Sequence, residues 1–182
     1  MPFAIPGATF LGATTPLGSA ASTTGVVVFG PGWGHLFIYH YIAGYSGSAI
    51  AMIRLGTGTT TDSGTNYSSG TSHFIMGGTT VGTSTSRVSQ TGIHVANDAV
   101  TNGRRGLHQV HNPATQVKTV DGRTNTYGGT SPTAATAIAT LSLVVGSWHN
   151  TTAQAQCAEM FGNGVNLNAG SYISVYGIPG TG

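Results

Sequence analysis

The sequence predicts an all-β fold, an antiparallel β-sandwich of about eight to ten strands, and three observations carry that expectation. Apolar residues alternate with a period of two wherever they cluster, as in HLFIYHYIA (35–43) and SYISVYGI (171–178). Gly, Thr, Ser, Asn and Pro break the clusters at short intervals, the rhythm of turns between strands. No internal repeat of solenoid or propeller length occurs, so the strands belong to one sandwich.

The strands follow in order. ATFLGA (8–13) and GVVVF (25–29) come first. In HLFIYHYIA, Leu36, Ile38, His40 and Ile42 share one face and Phe37, Tyr39 and Tyr41 the other, so both faces are expected to be covered. SAIAMIRL (48–55), SHFIM (72–76), GIHVA (92–96), GLHQVHN (106–112) and QVKTV (116–120) are next. TAIATLSLVV (136–145) and TAQAQCAEMF (152–161) contain enough Ala for helices, but β-branched residues in the first and Gly-rich flanks favour strands. SYISVYGI (171–178) is the last.

Three stretches read as long polar connections: 56–70, 77–89 and 122–132. Within the first, DSGTNY (62–67) reads as a turn in which Asp62 and Asn66 cap their own backbone and Gly64 takes a positive φ. It lacks the further carboxylates of a calcium loop.

The 182 residues suit one domain. Residues 24–182 are assigned to a single sandwich, and residues 1–23 to an N-terminal extended arm or first edge strand. Pro2, Pro6 and Pro16 keep that segment extended, while Phe3, Ile5, Phe10, Leu11 and Leu17 make it too apolar for a free tail. Strand addition to a neighbour is the expected use.

Only 5% of residues are charged, against a typical ~25%, so the polar surface is hydroxyl and backbone. Such a surface suits a subunit that buries much of itself in an assembly. The six basic residues are scattered except for Arg104–Arg105, which argues against a nucleic-acid footprint. Cys157 is the single cysteine, so neither an intrachain disulfide nor a multi-cysteine zinc site is available, and it reads as a small buried residue. MPFAIPGATF lacks the basic and apolar regions of a signal peptide, and no stretch reaches the ~18 apolar residues of a membrane helix. A soluble chain with no export address of its own and no membrane partner is expected.

Chemistry-bearing motifs are sparse. Seven histidines (His35, His40, His73, His94, His108, His111, His149) have no adjacent acid, and His108 and His111 point to opposite faces of a strand. Imidazoles bonded to backbone are the expectation, with no metal and no cofactor. Four carboxylates spread from Asp62 to Glu159 offer no evident acid/base pair. GYSGS (44–48) fails the nucleophile-elbow pattern, and phosphate-loop signatures are absent. The reading is therefore non-enzymatic, with catalytic residues none.

Three passages in order, HLFIYHYIA with DSGTNY, GSWHN around Trp148, and NLNAGSYISVYGI, resemble small virion proteins of tailed bacteriophages. The resemblance covers roughly 35–67 and 140–178. It implies a jelly-roll-like sandwich that decorates or cements the capsid, with the major capsid protein and further copies of itself, as a homotrimer or other small homo-oligomer, as partners. It places the chain on the virion exterior after synthesis in the host cytoplasm. It equally accommodates a tail-fibre tip recognising a cell-surface glycan through loops 56–70 and 77–89 or through Trp33, Tyr39, Tyr41 and Trp148. Thr61 stands where the family pattern usually has Gly before the turn's Asp.

In the last strand, Ile173 and Val175 point to the core, while Tyr172, Ser174 and Tyr176 face outward, after a turn at Ala169–Gly170 and before Pro179 ends the ladder. The residues expected at a partner interface are Phe3, Ile5, Tyr172, Tyr176, Trp33 and Trp148.

Overall fold

The computed structural model describes residues 5–45, 50–75, 81–96, 103–128 and 138–180. Thirteen strands, and no helix, occupy the described residues. They are β1 (Thr9–Ala13), β2 (Thr23–Val28), β3 (Trp33–Ile42), β4 (Ile50–Thr57), β5 (Thr60–Thr61), β6 (Tyr67–Ile75) and β7 (Val81–Gln90). The remainder are β8 (Ile93–Ala96), β9 (Arg104–His111), β10 (Lys118–Gly128), β11 (Ile138–Trp148), β12 (Cys157–Asn163) and β13 (Tyr172–Pro179).

Two antiparallel sheets pack face to face as the expected sandwich. The larger has eight strands in the order β1-β13-β3-β9-β10-β11-β6-β7. The smaller runs β2-β12-β4-β5, with β8 also paired to β4. Leu36, Ile38, Ile42, Val110, Val120, Val144, Ile173 and Val175 of the larger sheet meet Val27, Ile53, Leu55, Ile93, Val95, Ala158 and Met160 of the smaller. Alternation in β3 and β13 thus selects the core face, since period-two side chains divide between the two sides of a sheet.

Several connections read as loops are strands. β7 occupies most of the stretch 77–89, because a Ser/Thr-rich segment has β-branched residues and a free ladder on β6 to pair with. β10 continues to Gly128, through much of 122–132, paired on both sides by β9 and β11. The stretch 56–70 holds the end of β4, a tight turn at Gly58 (φ 62°), β5 and the start of β6. Conversely β12 begins only at Cys157, so residues 152–156 of the expected strand are irregular. Asp62 accepts from the Gly64 N–H as expected, but Asn66 donates to the Asp62 carboxylate instead of capping backbone, and Gly64 has no positive φ. Gly170, with φ 90°, turns the chain into β13 as read.

The segment expected as an arm is bonded to its own chain from residue 9 onward. β1 adds to the edge of β13, Leu17 N–H donates to the Ser171 carbonyl at 3.1 Å, and Ala21 bridges Leu167. Edge strand is the form it takes there.

Candidate interaction face

The smaller sheet covers the inner face of the larger one, and no described element packs over the larger sheet's other face. The antiparallel registers arrange them in rows across the strands. One row runs Phe10, Tyr176, Phe37, Gln109, Asp121, Val145. The next runs Ser174, Tyr39, Leu107, Arg123, Leu143. A third runs Tyr172, Tyr41, Arg105, Asn125. On that outer face of β3, Phe37, Tyr39 and Tyr41 are half-buried.

Leu143 and Val145 remain 43% and 60% exposed, and Phe10 55%. Leu143 and Val145, with Phe37, Leu107 and Arg123, border a shallow groove of about 390 Å³. Beside it Tyr172 lies between Tyr39 and Tyr41 (ring centroids 6.1 and 5.8 Å), and the Arg105 guanidinium sits 5.6 Å from the Tyr41 ring. Burial, then the neighbouring Tyr172 hydroxyl, pushes the Tyr39 phenol pKa up, so that phenol stays neutral at physiological pH. An outer face of aromatic and aliphatic groups with one carboxylate and two guanidiniums is suited to binding a surface.

The residues singled out from sequence are dispersed. Tyr172 lies on this face. Tyr176 points the same way but is 5% exposed, covered by Phe10 at 5.4 Å. Trp33 is half-buried at the sandwich end, its indole N–H donating to the Phe29 carbonyl at 3.2 Å. Trp148, 1% exposed, lies in the core of its own chain. Ile5 is half-buried ahead of β1, and Phe3 is outside the described residues, as are positions 46–48 of GYSGS. Leu107, Leu143, Val145 and Phe10 were not singled out. Their signal is the run Leu143-Val144-Val145, apolar on both faces of one strand.

Two clusters approach catalytic or ligating chemistry. Ser68 and Ser147 hydroxyls are 2.6 Å apart, and His149 Nε2 is 2.9 Å from Ser147 Oγ. Among the described residues no carboxylate orients His149, and the nearby Asp62 is engaged by Trp148, Asn66 and Gly64. The trio pins β6 to β11. On the inner face, His40 and His108 are fully buried and stacked at 5.1 Å. Each stands opposite a glycine across the ladder, His40 against Gly106 and His108 against Gly122. A Cβ at Gly106 would lie 2.3 Å from His40 Cε1, and one at Gly122 2.3 Å from His108 Nδ1, so the rings occupy the space the glycines leave.

Burial holds both histidines neutral, His108 at a pKa of about 3, with His108 and Arg104 adding to the depression at His40. His94 is held to about 4 by burial and by Arg87. His111 faces away from His108, as the strand spacing requires, and among the described residues no group of three or more potential ligands converges. Cys157 is buried, its thiol pushed up to about 11 by desolvation and then by Glu159, which makes it inert.

No protein-family model matches the chain, and neither a curated protein nor a solved structure shows significant similarity to it.

Proposed function

We propose that the chain is a non-enzymatic structural protein of a phage virion that decorates or cements the capsid shell, docking through the outer face of the eight-stranded sheet. The observation that carries this reading is the uncovered patch of Phe10, Phe37, Leu107, Leu143 and Val145 on a chain with 5% charged residues. Apolar anchors with a hydrogen-bonding rim supply affinity when a large area is buried against a shell or a second copy. The major capsid protein and copies of the chain itself are the partners this requires. Counting copies per purified particle by quantitative mass spectrometry tests it: hundreds are expected, and a handful at one vertex contradicts it.

A second reading, a tail-fibre tip that binds a cell-surface glycan, has its own support in the Tyr39–Tyr41–Tyr172 cluster flanked by Arg105. Aromatic faces beside polar groups suit sugar rings. Glycan-array binding that is lost in Tyr41→Ala, with few copies per particle, would promote it over shell decoration.

A further inference from the structure

The geometry points to an exchangeable transition-metal site at His35 and His111, at the open end of the sandwich. The two residues are directly opposite in the β3–β9 ladder, and their rings lie 5.1 Å apart at 23°. Opposed residues on antiparallel strands have Cβ atoms about 4.5–5.5 Å apart, which lets two imidazoles reach one ion from the same side. They border a cavity of about 740 Å³ with Asn112, Gln154 and Pro179, and its lining carries no Lys, Arg, Asp or Glu. Nothing in that wall repels a cation, and the volume leaves space for water in the remaining coordination positions.

The contrast with the other stacked pair is informative. His40 and His108 are sealed in the core beside Arg104, whose charge disfavours a second cation there. His111 is exposed, and neither His35 nor His111 makes a hydrogen bond to any described residue.

Ligand type selects the ion. A pair of imidazole ligands without thiolate or carboxylate favours Cu(II), followed by Ni(II) and Zn(II), by the usual order of divalent affinities. Strength follows from the surroundings of the rings. A ligating imidazole ordinarily donates its second N–H to a partner, worth about 10–100-fold in affinity, whereas His35 Nδ1 is sealed from solvent without one. The site is thus an exchangeable one rather than a structural centre on which folding depends.

The test is titration of the full chain with CuCl₂, followed by quenching of Trp33 and by electron paramagnetic resonance. The expected result is one Cu(II) per chain with two imidazole nitrogens in its coordination plane. His35→Gln and His111→Gln should each weaken binding at least about tenfold with unchanged circular dichroism, while His149→Gln binds as the parent does. Absence of stoichiometric copper binding, or parent-like binding by both His35→Gln and His111→Gln, overturns the site.

Discussion

The indole N–H of Trp148 donates to Asp62 Oδ2 at 2.9 Å, joining the end of β11 to the turn between β5 and β6. Around this bond Tyr67 stacks on Trp148 at 6.3 Å and its hydroxyl bonds the Leu55 carbonyl, while Lys118 Nζ lies 5.7 Å from the Trp148 ring. Burial pushes the Asp62 pKa up, but hydrogen bonds from Trp148, Asn66 and Gly64 outweigh it and hold the carboxyl below its usual range. Trp148→Phe keeps most of the packing and removes the donor. It should lower unfolding free energy in urea by about 0.5–1.5 kcal/mol, the range for one hydrogen bond, since Asp62 is only partly buried and keeps Gly64 and Asn66 as partners.

Acid should unfold the protein steeply. His40, His94 and His108 are held neutral with folded-state pKa values below the ordinary 6.5, so the unfolded chain takes up protons first as pH falls. Their stabilising effect is complete above about pH 6.5 and is lost on going down toward pH 4. Each contributes a slope of up to about 1.4 kcal/mol per pH unit in that window, together up to about 4 per pH unit, steep against a typical total stability of about 5–15 kcal/mol. Thermal melts from pH 7.5 to 4.5 check this. A flat melting temperature contradicts it, and His108→Gln should flatten the profile by about a third.

The histidine-over-glycine packing predicts a paired result. Gly122→Ala places a methyl against the His108 ring and should cost about 1–3 kcal/mol by overpacking. Adding His108→Ala opens the space, so the double variant should lose less than the sum of the two single changes. Additive losses in a double-mutant cycle would show that the ring and the glycine do not compete for the same volume.

Deleting residues 1–7 removes the part of the chain ahead of β1 and leaves the β1–β13 ladder in place. The sandwich should remain folded, with weaker self-association or shell attachment by sedimentation. Unchanged assembly would assign Ile5 to the subunit's own surface.

The sandwich was legible because alternation survives in β3, β9 and the first half of β13, as in Leu36-Ile38 and Ile173-Val175. β7 and the second half of β10 were not, since VGTSTSRVSQ and GRTNTYG carry the Gly, Ser and Asn composition of loops and become strands only by pairing with β6, β9 and β11. Trp148 and Tyr176 were both expected at a partner interface, Tyr176 as one of an outward tyrosine pair. Only tertiary packing reveals that Tyr67 and Phe10 cover them. The outward face was half-legible: the tyrosines of β3 stand out, whereas the contribution of Leu143 and Val145 depends on which layer the smaller sheet covers.

The most direct measurement places two charges on that outward face. Leu143→Arg and Val145→Arg change side chains that are 43% and 60% exposed, so unfolding free energy should shift by no more than about 0.5 kcal/mol. The expected result is a folded double variant that no longer co-sediments with particles lacking the protein, whereas the parent chain does. Retention of the double variant on those particles at the parent's level would contradict docking through the eight-stranded sheet.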